Sequence, residues 1–169
     1  MVNMKHRYPL SILLLLILHG PAIALGADQD KPFEVAADSA IVDENLGSTI
    51  YRGEVIITQG SLRILADEVE IVTSKGDVVQ IIARSDENSD RLAHLEQQPD
   101  NKERVFADAR NINYFIQEQR VHLTGDVRLR QKGDEFTGEI VYYDAAQGII
   151  NLKSSSESER IKIKYNTAK

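Results

Sequence analysis

The sequence predicts an all-β protein whose antiparallel strands are built from a repeated unit. Apolar and polar side chains alternate with a period of two along most of the chain, which is typical of strands with one buried and one solvated face. Turn signals arrive about every 8 to 12 residues, as in all-β domains. No amphipathic helix of useful length is visible. The third observation is an internal repeat.

Residues 51–71 and 123–143 carry this repeat. The first stretch reads YRGEVIITQGSLRILADEVEI and the second reads LTGDVRLRQKGDEFTGEIVYY. A constant offset of 72 with no gap places Gly53 on Gly125. Self-similarity of this kind indicates one supersecondary unit that is used twice.

Within each copy the alternation assigns side chains to the two faces of a strand. It predicts one apolar face from every second residue of four runs: Tyr51, Gly53, Val55 and Ile57; Leu62, Ile64 and Ala66; Val121, Leu123, Gly125, Val127 and Leu129; and Phe136, Gly138, Ile140 and Tyr142. Residues 59–61 and 132–134 separate these runs in pairs, which predicts two hairpin turns.

Shorter strands are predicted around the hairpins. They cover residues 33–37, 39–42, 48–51, 78–83 and 161–165, with a turn at 43–47 and a polar turn at 154–159. Residues 84–104 are dense in charge, so we expect a solvated loop there. A short strand at 92–95 is the alternative for the one apolar group of this segment.

No catalytic or metal-binding constellation is visible. His94 and His122 have no partner at metal-ligand spacing. A small residue followed by an acid recurs at Ala37-Asp38, Ala66-Asp67, Ala107-Asp108 and Gly138-Glu139, and the third pair aligns with the first if the second copy holds two extra residues. Such acids can form a paired-carboxylate site, but near turns they more often bond backbone amides. We expect no enzyme activity, no metal and no cofactor.

The first 27 residues predict a secretory signal peptide. Lys5 and Arg7 form a basic start, residues 10–18 are almost entirely Leu and Ile, and small residues follow, so that cleavage after Ala24 or Ala27 is compatible. The alternative is a membrane anchor, but a bilayer requires about 20 apolar residues. We therefore expect a secreted protein with one domain over residues 28–169.

Charge and composition exclude several classes of function. Without Lys5 and Arg7, the only charged residues of the first 27, the chain keeps 18 basic and 26 acidic residues, a net charge of −8. This disfavours nucleic acid, because binding phosphates requires a concentrated positive surface. The absence of Cys excludes disulfides and thiolate metal sites.

These stretches resemble the OstA-like family of periplasmic lipopolysaccharide-transport proteins. The resemblance rests on YRGEVIITQGSLRILADEVEI, on ADARNINYFIQEQRVHLTGDV and on the signal peptide, and it covers residues 32 to about 153. It implies a β-jellyroll that is open along one side and V-shaped, and that carries lipopolysaccharide from the inner to the outer membrane. It also implies head-to-tail stacking, with an inner-membrane Lpt complex at one end and an outer-membrane Lpt translocon at the other.

The resemblance implies a groove that shelters the acyl chains of lipid A. The apolar candidates for this groove are Phe33, Val35, Val55, Ile57, Ile64, Ile81, Leu95, Phe106, Ile112, Tyr114, Val127, Leu129 and Phe136. For any one of them, packing in a closed core is the alternative. We expect the first and last strands to supply the edges for self-association, through Phe33, Val35, Ile161, Ile163 and Tyr165.

Two rival functions are compatible with a β-rich periplasmic chain. The first is a scaffold that binds protein partners and no lipid. The second is a polysaccharide-binding or polysaccharide-cleaving enzyme, which would need a cleft of exposed aromatic side chains. The chain holds no Trp, four Phe and six Tyr, so the second rival is the weaker one.

Overall fold

A computed structural model describes residues 31–98, 102–154 and 160–167, and over these ranges it contains twelve strands and no helix. The strands are β1 (Glu34–Ala36), β2 (Ser39–Asp43), β3 (Ser48–Gln59), β4 (Leu62–Ser74), β5 (Asp77–Arg84), β6 (Ala93–Gln97), β7 (Val105–Ala109), β8 (Asn111–Phe115), β9 (Arg120–Gln131), β10 (Asp134–Asp144), β11 (Ile149–Lys153) and β12 (Lys162–Lys164). Every strand pair is antiparallel. The predicted all-β fold is confirmed.

Two predicted features lie outside the described residues. They are the signal peptide at 1–27 and most of the polar turn at 154–159. In the part of the chain that is described, no helix has the length and apolar character needed to cross a bilayer.

The four long strands β3, β4, β9 and β10 each contribute to two leaves of the sheet. The upper leaf has the order β2–β3–β4–β5–β8–β9–β10–β11, and the lower leaf has the order β1–β3–β4–β6–β7–β9–β10–β12. In β4, for example, residues 68–74 pair with β5 whereas residues 63–65 pair with β6. The six strands β4, β5, β8, β9, β7 and β6 thereby close into a ring of hydrogen-bonded neighbours.

Each long hairpin bends from one leaf to the other at a glycine-acid pair. Gly53 and Glu54 have φ angles of 83° and 42°, and Gly125 and Asp126 have φ angles of 80° and 53°. The register of β3 with β4 shifts between Arg52 and Val55, where two residues lie opposite one on the partner strand. Such a β-bulge locally bends and twists a strand. The Gly-acid-Val motif of the sequence is therefore the hinge between the two leaves.

The repeat extends over the whole fold, and its predicted upstream alignment is wrong. Val35 pairs with Ile57 as Ala107 pairs with Leu129, so the offset of 72 continues into the first strands without inserted residues. Asp38 therefore corresponds to Arg110, and not to Asp108. A β-carbon on Gly53 would collide with Asp38, and one on Gly125 would collide with Arg110. Strands β1–β6 and β7–β12 are two copies of one six-stranded unit.

The predicted short strands are present with shifted boundaries, and one of them was underestimated. The runs predicted at 48–51 and at 51–58 form one continuous strand, β3. The segment at 84–104 is not an uninterrupted loop, because the short strand expected at 92–95 is present as Ala93–Gln97, β6, between β4 and β7. Its alternation is short, but Ala93 and Leu95 are buried. The strand is therefore part of the lower leaf and closes the ring.

Candidate functional site

The two leaves enclose an elongated apolar interior, which we call the trough. Inward side chains from both leaves form one continuous cluster, to which β1, β3, β10 and β11 add partly buried side chains. The cluster contains aliphatic residues, alanines and two tyrosines, Tyr114 and Tyr143, and no charged side chain. The bends of the long strands form one side of the trough. The free ends of the hairpins form the opposite side, which we call the mouth.

Most of the candidate groove residues lie in this trough. Nine are buried: Val55, Ile57, Ile64, Ile81, Leu95, Ile112, Tyr114, Val127 and Leu129. Phe33, Val35 and Phe136 are partly buried and pack against the same cluster. The leaves close over these side chains in this structure, and Tyr114, for example, is only 3 % exposed.

Phe106 was wrongly assigned to the inner face. Its neighbours Val105 and Ala107 are buried, so Phe106 points away from the trough. There it lies 5.4 Å from the guanidinium carbon of Arg130 and near the ring of His94. Alternation could have found this, because Phe106 shares the parity of the charged Asp108, whereas Val105, Ala107 and Ala109 form the apolar face.

The inner face also holds residues that strict alternation placed outside, because each bulge reverses the parity of one strand. In β4 the buried residues change from Leu62 and Ile64 to Val69 and Ile71. In β10 the reversal brings Val141 and Tyr143 inside, so the predicted inward directions of Ile140 and Tyr142 are wrong. In β3 and β9 the bulge contains two residues opposite one on the partner strand, so the parity of these two strands is kept. The trough also contains these residues, which were not among the candidates: Ala83, Ala93, Val105, Ala107, Ala109, Ile116, Val121, Leu123 and Ala145.

Three polar contacts join the leaves across the mouth, and we call them the clasp. Gln97 Nε2 donates to Tyr114 Oη at 3.3 Å, and Gln131 Nε2 donates to Tyr143 Oη at 3.4 Å. Lys102 Nζ donates to two backbone carbonyls of the β10–β11 turn, those of Ala145 and, at 2.7 Å, Ala146. Burial raises the pKa of the Tyr143 hydroxyl, so this group is neutral at physiological pH.

A strap of residues 85–92 crosses the hinge side of the trough. Arg91 contacts Asp67 at 3.1 Å and Glu54 at 3.5 Å, while Arg110 donates to the Ser89 carbonyl at 2.7 Å and to Asp126 at 3.1 Å. The strap therefore links the acids at both bends.

The repeated acids have structural roles in this geometry. Asp67 accepts a hydrogen bond from the amide of Asp86 at 2.8 Å, as expected of an acid near a turn. Asp108 instead lies on the outer face between His94, at 2.7 Å, and Arg130, at 3.2 Å. Burial alone would raise the pKa of Asp108, but the hydrogen bond with His94 and the nearby charge of Arg130 hold this pKa below its usual value. No cluster of potential metal ligands occurs among the described residues.

His122 lies on the outer face, as predicted. Its ring packs between Phe115 and Tyr142, with centroid separations of 4.9 Å and 4.7 Å. Partial burial and the nearby Arg120 lower its pKa, so the imidazole is neutral at physiological pH.

The two ends of the trough are edge strands with exposed apolar side chains. At the first end, Ile41 and Val42 of β2 are 58 % and 63 % exposed. At the other end, Ile161, Ile163 and Tyr165 are exposed around β12. Isolated surface apolar residues are common, but clusters on unpaired strands favour association.

Comparisons with known proteins agree with this architecture. The pattern of a family described as "LptA/(LptD N-terminal domain) LPS transport protein" matches residues 34–149. The chain is 32 % identical over 139 residues to the lipopolysaccharide export system protein LptH of Pseudomonas aeruginosa, covering 82 % of this chain and 77 % of that protein. It is 28 % identical over 123 residues to lipopolysaccharide export system protein LptA of Escherichia coli K12, covering 73 % and 65 %.

The same similarity holds in three dimensions. The crystal structure of P. aeruginosa LptH, described as the LptA-homologous periplasmic component of a lipopolysaccharide transport device, superimposes with a TM-score of 0.72 at 29 % identity. The match covers 83 % of this chain and 99 % of that structure. A shared residue pattern and a shared strand arrangement agree over most of the chain. This protein belongs to the LptA/(LptD N-terminal domain) family of LPS transport proteins.

Proposed function

We propose that this protein is a periplasmic carrier that shelters the acyl chains of lipopolysaccharide in the trough and stacks head to tail between the inner and outer membranes. The observation that supports this most directly is an uncharged apolar interior that continues through both copies of the repeat and reaches an edge strand at each end. The proposed role needs no catalytic group, and we infer that the protein is not an enzyme.

The energetics of lipid transfer explain why such an interior is useful. Exposing one CH₂ group to water costs about 0.8 kcal/mol, so an acyl chain of about 12 carbons costs roughly 10 kcal/mol. A lipid with several chains therefore needs a continuous apolar path. The trough offers aliphatic side chains at successive levels from β1 to β11.

The repeat suggests how copies stack. Inside the chain, the last strands of the first unit pair with the first strands of the second, β5 with β8 and β6 with β7. The equivalents of these strands at the two ends, β11 and β12 and then β2 and β1, are exposed edges. We infer that the junction between copies repeats the junction inside the chain. The Lpt complexes of the two membranes would take the place of a neighbouring copy at the ends of the stack.

The alternative function is a scaffold that binds protein partners without lipid. One observation favours it, namely that the leaves close over the trough in this structure. A lipid carrier must then open before it loads, whereas a scaffold need not open at all. The carrier function predicts bound lipid, whereas the scaffold function predicts none.

A photo-reactive amino acid placed in the trough tests the carrier function in cells. At Tyr114 of β8, whose side chain points inward, it should capture lipopolysaccharide. At His122, on the outer face of the neighbouring strand β9, it should not. Phe33 offers a third position, at the first end of the trough. Captured lipid is detected as a mass shift on denaturing gels and by mass spectrometry. Equal labelling at all three positions, or none, would contradict the carrier and favour the scaffold.

A further inference from the structure

We propose that Lys102 is a phosphate-binding residue for the incoming lipid, and that in the empty protein the same ammonium group helps to hold the mouth of the trough shut. This inference rests on the carrier function proposed above, because it concerns how a phosphorylated acyl lipid reaches the same trough.

The clasp lies where a lipid must enter. The bend side of the trough is covered by continuous strands and by the strap at 85–92, whereas the mouth is crossed only by side chains among the described residues. Two of the three clasp contacts join an amide to a hydroxyl at 3.3 Å and 3.4 Å, which is long for such a bond. The third, from Lys102, is the only charged one.

The partners of Lys102 are neutral. It binds the carbonyls of Ala145 and Ala146, and it forms no ion pair with a described carboxylate. A phosphate oxygen is a stronger partner for an ammonium group than a carbonyl is, because both groups are then charged.

An exchange of partners couples binding to opening. While Lys102 binds the β10–β11 turn, it ties the residues just before β7 of the lower leaf to the upper leaf. When a lipid phosphate binds the ammonium group, the hydrogen bonds to the β10–β11 turn break, and the charge of Lys102 stays paired. The acyl chains can then enter beside Tyr114 and Tyr143, whose bonds to Gln97 and Gln131 are the remaining contacts of the clasp.

A neutral apolar dye tests the closing role without any lipid. The dye Nile red fluoresces when it enters an apolar site, so its rate of uptake reports opening of the mouth. The variant Lys102→Met should take up the dye roughly fivefold faster, which corresponds to the loss of about one hydrogen bond. Lys102→Arg should resemble the natural protein. Lys153→Met, which removes a lysine that lies over Tyr142 on the outer face, is the matched control and should have no effect.

Lipid A with and without its phosphates tests the binding role. The natural protein and Lys102→Arg should bind the phosphorylated form roughly tenfold more tightly than the dephosphorylated form, as expected for one charge-assisted contact. Lys102→Met should bind both forms equally. At equal concentration, inorganic phosphate should accelerate dye uptake by the natural protein much less than phosphorylated lipid A does, because it carries no acyl chains that enter the trough; equal acceleration would overturn the assignment to a lipid-borne phosphate.

The results separate this inference from the function on which it rests. If the natural protein binds lipid A but Lys102→Met changes neither dye uptake nor phosphate preference, the role of Lys102 is wrong and the carrier function stands. If dye uptake rises in Lys102→Met but no protein binds lipid A, the closing role stands, while the phosphate assignment and the carrier function both fail.

Discussion

At the scale of single residues, two glycines decide how the long hairpins bend. Gly53 and Gly125 both have φ near 80°, a conformation that is easily reached only without a β-carbon. A β-carbon at Gly125 would also lie 2.7 Å from the side chain of Arg110. The residue after each glycine, Glu54 or Asp126, also has a positive φ, so two consecutive left-handed residues form each hinge.

The substitution Gly125→Ala should therefore lower the free energy of unfolding by about 2 kcal/mol, from left-handed strain together with the collision with Arg110. Gly138→Ala is the matched control, because this glycine has no positive φ and its added β-carbon would make an ordinary contact of 3.5 Å with Ile161. Urea unfolding measures both. Equal effects would show that Gly125 has no special role in the bend.

At the scale of elements, periodicity predicts the strands well and their faces only in part. The alternation of β9 survives in the structure because its bulge contains two residues, opposite a single residue of β10. The alternation of β4 and β10 reverses at the single residues opposite the bulges, Asp67 and Glu139. In β4 the sequence itself shows the reversal, because Val69 lies between Glu68 and Glu70, whereas residues 140–143 of β10 are all apolar or aromatic and carry no such information. The clasp was also beyond sequence reasoning, because Lys102 and Ala146 meet only through tertiary packing.

The proposed junction between copies has a defined register. Within the chain Ile81 of β5 lies opposite Tyr114 of β8. The pairings of β10 with β11 and of β2 with β3 show that Ile150 corresponds to Ile81 and Val42 to Tyr114. Ile150 of one copy should therefore face Val42 of the next.

Cysteines test this register cleanly, because the natural chain has none. Mixed under oxidising conditions, Val42→Cys and Ile150→Cys proteins should form a disulfide-linked dimer, since directly opposed residues have the separation that a disulfide requires. Val42→Cys mixed with Asn151→Cys is the control, and it should cross-link poorly because side chains one residue apart point to opposite faces. A dimer of equal yield in both mixtures would refute the register.

At the scale of the whole molecule, the association that we propose joins two different ends, so it does not close on itself as a two-fold dimer does. A heterologous contact of this kind extends into open-ended stacks. Light scattering should show an average mass that rises with protein concentration without a plateau at the dimer.

A variant with one damaged end should terminate such stacks. Val42→Asp places a charge in the first edge but leaves β11 and β12 intact, so small amounts should shorten stacks of the natural protein. Ile41→Asp is the control, because Ile41 is similarly exposed on the same strand but lies on its outer face. If the two variants shorten the stacks equally, the inward face of β2 is not the contact.

Because the six-stranded unit is duplicated, its two copies could also be connected in the opposite order along the chain. If the joint between copies is the same as the joint between halves, a circular permutant that begins at β7, runs through a linker from β12 to β1 and finishes at β6 would carry within one polypeptide the joint that now forms between two. Such a permutant should fold as a single molecule, and its interior would show the intermolecular contact at atomic detail without any need to assemble a filament.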